Sequence, residues 1–195
     1  MNRSLSKRAS VFLFALVMSQ LVSRQVLAQD STPIRLTLDV SSDGIVQVHY
    51  VIKVDPELPN VNISIFGLTS EVLVVTDENG DLLDYTQNGS MLNVDSLGAS
   101  QLTVEYYTPD LTVKTGQLWT LVIRATIDFN VTFPVDATIV DVSEIPLKIG
   151  TINQRPALVM PRGAQNISYI VGAVGPRGLA SETIALAEQT ISGIK

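Results

Sequence analysis

The longest run in the chain that alternates apolar and polar residues is QLWTLVIRATIDFNVTFP, Gln117 to Pro134. Its odd positions are Trp, Leu, Ile, Ala, Ile, Phe, Val and Phe, whereas its even positions are mostly Thr, Arg, Asp and Asn. Successive side chains of a strand point to opposite faces, so this period of two predicts a strand with one buried face, on which Trp119 lies. Because strands of roughly five or six residues are commonest, we expect a bend or bulge near Asn130.

Shorter alternating runs and turn dipeptides extend this pattern along the chain. The runs are IRLTLDV, VNISIF, QLTVEYY and NISYIV, and the turns contain Asp43-Gly44, Asn79-Gly80 and Asn88-Gly89, which tolerate the positive φ angles of tight hairpins. About nine or ten candidate strands follow one another at the spacing of an antiparallel sandwich, and no helical pattern separates them. The prediction is an all-β fold, an antiparallel β-sandwich over residues 29–174.

The first residues have the three parts of an export signal. The segment begins with basic residues, continues with the apolar stretch VFLFALVM and ends on small residues before Gln29; the basic residues are Arg3, Lys7 and Arg8. The apolar stretch is shorter than the roughly 20 residues that span a bilayer, so a signal peptide at residues 1–28 is favoured over a retained anchor. The mature chain is expected to be secreted, to be associated with the cell surface and to lack a membrane-spanning segment.

Charge and cysteine content exclude several partners. Removing residues 1–28 leaves nine basic residues against nineteen acidic ones, a formal charge of −10. Nucleic acids and anionic lipids both need clustered Lys and Arg, so neither is an expected partner. The chain has no cysteine, which excludes disulfides and thiolate metal sites. A domain without such links depends on a sizeable buried core for its stability.

Four Asn-x-Ser/Thr sequons follow the signal, at Asn62, Asn88, Asn130 and Asn166. Three of these asparagines fall on the polar faces of predicted strands and Asn88 falls in a turn. Such positions are available for N-glycosylation in a secreted protein. The alternative is that polar asparagines simply face solvent beside the Thr and Ser residues that sheet surfaces favour.

Residues of the types that carry chemistry are present but do not converge in the sequence. His49 is the only histidine, so it cannot build a multi-histidine zinc site, and it is interpreted as an ordinary strand residue. The DENGDLLD hairpin, with Asp77 and Asp81, offers oxygen ligands for Ca²⁺, but its spacing is not that of an EF-hand, and a solvated hairpin is favoured. No cofactor and no catalytic residue is predicted.

Adjacent tyrosines offer a possible sugar platform. Tyr106 and Tyr107 follow one another in a predicted strand, so one of them is expected to face solvent. A solvent-facing tyrosine over a shallow groove would suit a carbohydrate ligand.

The C-terminus changes from strand to helix pattern. Residues 175–195 read as a hinge followed by a short helix from Ala180, whose apolar seam consists of Ile184, Ala187, Ile191 and Ile194. A helix this short is marginal in water unless its seam finds a partner. Two interpretations remain: the helix folds back over the sandwich, or it begins an intermolecular stalk.

The stretch from Leu118 to Gly172 resembles a known arrangement. TFPVDATIVDV, then ALVMP, then QNISYIVG give a strand ending in Phe-Pro, a short strand, an apolar strand and a closing strand. This arrangement resembles the Ig-like β-sandwich ectodomains of secreted and envelope-attached archaeal proteins. The resemblance implies an Ig-like sandwich and carries no catalytic residue.

Three functions remain in view. The leading hypothesis is a non-enzymatic extracellular protein, structural or adhesive in the cell envelope, that associates with copies of itself or with envelope proteins. The second is a carbohydrate-binding module. The third is a secreted hydrolase, which predicts two carboxylates roughly 5–10 Å apart in a cleft.

Overall fold

The computed structural model describes residues 31–172 and shows an all-β chain in that range. Residues 1–28, predicted as the signal, and residues 175–195, predicted as hinge and helix, therefore lie outside the described residues, as does the seam of Ile184, Ala187, Ile191 and Ile194. None of the described residues forms a helix with the length and apolarity needed to cross a membrane.

Fourteen strands occur between residues 31 and 172. They are β1 Ser31–Val40, β2 Val46–Val54, β3 Asn60–Ser64, β4 Glu71–Thr76, β5 Tyr85–Asn88, β6 Met91–Asp95, β7 Gln101–Thr108, β8 Thr112–Thr115, β9 Leu118–Ala125, β10 Phe129–Thr132, β11 Ala137–Val142, β12 Lys148–Ile152, β13 Arg155–Met160 and β14 Gly163–Val171. This number exceeds the nine or ten predicted. The extra strands include β5, β8 and β12, whose side chains are almost all exposed and therefore show no apolar alternation.

The strands form three sheets. A seven-stranded sheet has the order β12-β13-β10-β1-β2-β7-β4, a four-stranded sheet has the order β11-β14-β9-β8, and a three-stranded sheet has the order β3-β6-β5. The pairs are antiparallel as predicted, except that β1 and β10 run parallel, with Thr37 beside Asn130. The strand β10 reaches the seven-stranded sheet from β9 of the four-stranded sheet. It is therefore not joined to β1 by a hairpin, the connection that would make the two strands antiparallel.

The long alternating run contributes to two sheets. Its first part is β9 of the four-stranded sheet and its second part is β10 of the seven-stranded sheet. The chain changes sheets at residues 126–128, before Asn130, where the interruption was expected. Leu121 and Ile123 of β9 and Phe129 and Val131 of β10 are all buried. The alternation survives the change of sheet because both parts face one core.

One hydrophobic cluster lies between the sheets and draws on all three of them. A row of directly paired residues crosses the core-facing side of the seven-stranded sheet, each at most 4% exposed: Tyr106, Val48, Leu38, Val131 and Leu158. We call these five residues the core row. The residue that continues the row on β12 is Ile149, paired with Leu158, and its side chain is 73% exposed.

Trp119 lies at the rim of this core rather than inside it. Its side chain is only partly buried and is stacked on Tyr169, with ring centroids 6.5 Å apart. Gly44 packs against the outer part of the indole: a Cβ there would lie 2.2 Å from the ring, and its φ of +86° is one that L side chains rarely adopt. The prediction of a core Trp119 is therefore corrected, because the Ser41–Gly44 turn covers only part of the ring.

Tyr169 itself is fully buried, and its hydroxyl has no hydrogen-bond partner among the described residues. Burial raises the pKa of this hydroxyl to about 12.

Candidate interaction surface

The strand β12 is an open edge of the seven-stranded sheet. Within residues 31–172 it pairs with β13 alone, on one side, and all five of its residues are exposed. Asn153 and Gln154 join the two strands with φ angles of 49° and 67°, so the connection is a two-residue hairpin turn flanked by the pair Ile152–Arg155.

This turn fixes the direction of the backbone groups along β12. Hydrogen-bonded and non-hydrogen-bonded pairs alternate in an antiparallel ladder, and the pair next to a two-residue turn is hydrogen-bonded. The N–H and C=O groups of Ile149 and Thr151 consequently point away from β13. No backbone hydrogen bond outside the ladders involves either residue within the described chain. The edge therefore offers four backbone groups to an incoming strand.

Exposed aliphatic side chains occur on the core-facing side of β12 and on the segment that leads into this strand. Ile145, Leu147 and Ile149 are 86%, 59% and 73% exposed, and we call these three residues the apolar overhang. Ile149 extends the core row beyond the part of the sheet that the described opposite layer covers. Exposed aliphatic side chains that continue a core in register differ from the scattered ones that any surface carries.

The opposite edge of the same sheet, β4, is closed. The carbonyl oxygen of Val75 accepts a hydrogen bond of 3.0 Å from the N–H of Leu83, and that of Leu73 accepts one of 3.0 Å from the Tyr85 hydroxyl. The register also shifts between Glu71 and Val74, where Val72 has a φ of 51°. A bulge and occupied acceptors both oppose strand addition.

Arg155 fastens the β12–β13 hairpin to the rest of the sheet. Its Nε donates to the carbonyl oxygen of Phe133 at 2.8 Å, its Nη1 donates to Asp39 Oδ2 at 2.8 Å, and its Nη2 donates to Asp39 Oδ1 and to the Val40 carbonyl oxygen. This fork ties β13 to the end of β1 and to the segment after β10. Such bidentate pairs are among the stronger side-chain hydrogen bonds.

The same arginine borders a concavity of about 440 Å³ that also contains Asp39, Asp136 and Val171. Two carboxylates in one concavity are what the hydrolase hypothesis requires. However, both oxygens of Asp39 already accept hydrogen bonds from the guanidinium. Asp39 therefore serves to hold Arg155. Among the residues that line this concavity, Asp136 has no second unpaired carboxylate with which it could form a catalytic pair.

His49 lies on the outer face of the seven-stranded sheet. Its Nδ1 is 2.6 Å from Glu105 Oε1 on the neighbouring strand, and both side chains are partly exposed. A general base would also need a nucleophile hydrogen-bonded to it, and within residues 31–172 the side chain of His49 bonds Glu105 and not the hydroxyl of Thr37, its neighbour in register. Residues 31–172 contain no group of three His, Asp or Glu side chains that could hold a metal ion. The pair acts as a surface contact across two strands.

The two candidate tyrosines point in opposite directions. Tyr106 is buried, and its hydroxyl donates to the Phe66 carbonyl oxygen at 3.0 Å and accepts from the Phe66 N–H at 2.8 Å. Burial raises its pKa well above the ordinary value. Tyr106 therefore cannot face a ligand, because it closes the core. Tyr107 is 39% exposed on the outer face, in register with Gln47 and Glu71.

The four sequon asparagines all have exposed side chains. Asn62, Asn130 and Asn166 lie on β3, β10 and β14, and Asn88 is the last residue of β5, just before the turn at Gly89. Asn166 also lines a concavity of about 520 Å³ beside Phe66, Leu68 and Arg124. These asparagines are accessible to solvent on three different sheets.

In the acidic hairpin at residues 77–84, the carboxylate oxygens of Asp77 accept hydrogen bonds from within the turn. Asp77 Oδ1 accepts from the N–H groups of Asn79 and Asp81 at 2.8 and 2.9 Å, and Asp77 Oδ2 accepts from Asn79 Nδ2 at 3.1 Å. Desolvation raises the pKa of Asp77, but these hydrogen bonds outweigh it and the pKa lies below its ordinary value. The carboxylate closes the turn, which favours the solvated hairpin over a calcium loop.

Sequence reasoning did not identify β12 or Arg155. The residues KIGTI carry no alternation because every side chain is exposed. The available signal was the sequence around the hairpin, where Pro156 sits in a strand next to an edge and the aliphatic residues Ile145, Leu147 and Ile149 recur at every second position.

Comparisons with known proteins give weak structural similarity only. No protein-family model matches the chain, and no curated protein matches it. The M1 zinc metallopeptidase from Deinococcus radiodurans is 14% identical over 72% of this chain and 42% of that one, with a TM-score of 0.48. Aminopeptidase A from Legionella pneumophila, in complex with aspartic acid, is 11% identical over 73% of this chain and 22% of that one, with a TM-score of 0.45. The chain spans less than half the length of either structure, and similarity at this level carries no conclusion about function.

Proposed function

We propose that this chain is a non-enzymatic extracellular protein, structural or adhesive in the cell envelope, whose Ig-like β-sandwich associates with a second copy through β12. The observation that carries the proposal is the open edge, on which Ile149 and Thr151 direct their backbone groups away from β13. The predicted export signal, the exposed sequons and the acidic composition support an extracellular location.

The edge is complementary to itself. If two β12 strands pair antiparallel about a two-fold axis at Gly150, Ile149 of one copy lies opposite Thr151 of the other. These are the residues with outward backbone groups, so the pairing forms four hydrogen bonds. Gly150 then faces its own copy in a non-hydrogen-bonded pair, where Cα atoms approach to about 4.5 Å and the absence of a side chain removes any clash.

The charge of the chain predicts how this association responds to salt. Two copies that each carry a formal charge of −10 repel one another. At an ionic strength of 0.15 M the Debye length is about 8 Å, and raising it further screens this repulsion. Association should therefore strengthen with salt, the opposite of what a contact made by ion pairs would show.

Gly150→Asp tests the proposal on the chain from Gln29 to Lys195. Nothing lies within 4 Å of a Cβ at Gly150, so the substitution is compatible with the folded monomer, but it places two carboxylates at the two-fold axis. Sedimentation equilibrium should show association of the native chain and at least a tenfold weaker association constant for the variant.

The matched control is Val113→Asp, which adds the same charge at an exposed position of β8, an edge of the four-stranded sheet. It should associate like the native chain, and circular dichroism should show both variants folded. A native chain that stays monomeric in high salt, or equal weakening by both substitutions, would refute the proposal.

A carbohydrate-binding role is the second candidate, supported by the exposure of Tyr107 between polar neighbours. Tyr107 borders neither the concavity of 520 Å³ nor that of 440 Å³, so a sugar would stack on an open face. Oligosaccharide titration followed by NMR should shift the Tyr107 ring signals if this role holds. Unchanged signals at millimolar sugar would exclude it.

A further inference from the structure

We infer that the chain's own C-terminal segment, residues 180–195, covers the apolar overhang. The overhang consists of side chains on β12 and just before it, whereas the proposed association uses the backbone edge of β12. The two proposals therefore stand on different atoms and can fail separately.

The place where the described chain ends supports this occupant. The N–H of Gly172 donates to the carbonyl oxygen of Asp136 at 3.1 Å, and Val171 lines the same concavity as Arg155. Arg155 is the β13 partner of Ile152, the last residue of β12. The chain thus leaves the described structure at the end of the sheet where the β12–β13 hairpin turns.

The remaining chain is long enough to reach. Residues 173–195 follow Gly172, and the seven residues 173–179 alone can span up to about 23 Å when extended. A helix of the next sixteen residues would be about 24 Å long. The five residues from 145 to 149 span at most about 17 Å, so the segment can lie along the whole overhang.

The chemistry of the two surfaces matches. The predicted seam of the segment consists of Ile184, Ala187, Ile191 and Ile194, and the overhang presents two isoleucines and a leucine. Each surface is unfavourable alone, since the isolated helix is marginal and the exposed aliphatic side chains contact water. Packing them together removes both costs.

A short tether favours the segment of the same chain over that of a second copy. Attachment through a few residues gives an effective concentration in the millimolar range. A second copy at micromolar concentration competes at a disadvantage of roughly a thousandfold. The inference therefore commits to coverage within one chain.

The absence of cysteine allows a direct test by disulfide trapping. One variant of the Gln29–Lys195 chain carries Thr151→Cys and Ala187→Cys, which keeps all three residues of the overhang and places a thiol on the same side of β12 as Ile149. The control carries Val113→Cys and Ala187→Cys, with the first thiol on an exposed residue of β8. Both are oxidised gently at micromolar concentration and resolved by non-reducing electrophoresis and mass spectrometry.

The first variant should form an intramolecular disulfide at least ten times faster than the control. Adding Ile184→Asp and Ile191→Asp should remove this difference, because the seam can then no longer pack on aliphatic side chains. Equal rates in the two variants would overturn the inference, and a product that is mainly a covalent dimer would assign the overhang to the segment of a second copy. Adding Gly150→Asp should leave the trapping rate unchanged, which separates this result from the test of β12 pairing.

Discussion

The core row ends differently at the two edges of the seven-stranded sheet: it is covered at one edge and exposed at the other. At one end the row finishes on Tyr106, whose hydroxyl holds both backbone groups of Phe66, and the adjacent β4 edge has its outward acceptors occupied. At the other end the row continues to Ile149, which is 73% exposed on an unbulged edge strand. The register of the sheet carries the core residues past the point where the described opposite layer stops.

The difference shows that a sheet edge is closed by the segment that comes after it in the chain. The bonds that close β4 come from Leu83 and Tyr85, residues of the segment that leaves β4 and returns beside it. After β12 the chain turns back at once through Asn153 and Gln154 into β13, so this connection leaves no segment on its outer side. The open edge is thus a direct result of a two-residue hairpin at the margin of the sheet.

The largest loss of stability is expected from Arg155→Met, which would detach the β12–β13 hairpin from the end of β1 and from the segment after β10. The substitution removes the four hydrogen bonds that fasten the hairpin to Asp39, Val40 and Phe133. Because the Arg155–Asp39 ion pair is partly exposed, its loss should cost less than the roughly 5 kcal/mol that breaking a fully buried ion pair can cost. We expect the free energy of unfolding to fall by about 3 kcal/mol.

Urea denaturation measures the total loss in Arg155→Met, and amide hydrogen exchange locates it. Exchange should accelerate in β12 and β13 while β4 keeps its protection. Uniform acceleration across the whole sheet would show that the two ends are not independent units. Arg162→Met is the control, because only its backbone N–H makes a described hydrogen bond, to Asp128.

A smaller loss is expected from Tyr106→Phe at the closed end. The substitution leaves the N–H and C=O groups of Phe66 without their partner in a partly buried place. Such unpaired groups cost about 2 kcal/mol in total, measured as the free energy of unfolding in urea. Tyr107→Phe on the same strand should change stability by less than about 0.5 kcal/mol because its ring is on the outer face. Equal effects of the two substitutions would contradict the closure assigned to Tyr106.

The smallest effect is expected from Tyr169→Phe, which removes a hydroxyl of a different kind. This hydroxyl is buried but has no hydrogen-bond partner in the described chain, so its loss should change stability by no more than about 0.5 kcal/mol and could increase it. Thermal unfolding beside Tyr106→Phe makes the comparison direct. A loss as large as that of Tyr106→Phe would reveal a bonded partner for this hydroxyl and would remove the contrast.

The sequence predicted the parts of the fold that depend on local alternation. The buried residues of β9 and β10 follow from parity alone, because Leu121 and Val131 each face the core within their own strand. The change of sheet between these strands could not be predicted, since both sheets bury the same parity. Parity could also have distinguished the tyrosines, because Tyr106 shares it with the buried Leu102 and Val104.

The candidate surface was beyond sequence reasoning for a physical reason. An edge strand exposed on both faces needs no alternation, so KIGTI by itself gives no signal for a strand. The hydrogen bonds from Tyr106 to Phe66 at the closed end were also hidden, because they join residues 40 positions apart. Contacts of that range arise from tertiary packing and leave no local pattern.

The parallel pairing of β1 with β10 has a consequence for how the chain folds. Thr37 must meet Asn130, which requires closing a loop of roughly 90 residues, and long closures slow folding because their entropy is lost before the contacts form. The antiparallel contacts among β1, β2, β7 and β4 involve shorter separations and can form earlier. We therefore expect the half of the sheet that contains β10, β13 and β12 to join last. Until it does, the backbone edge of β1 that pairs with β10 is exposed to solvent. In this order of assembly an unpaired strand edge, the kind of surface on which chains aggregate, lies in the middle of the future sheet until β10 arrives.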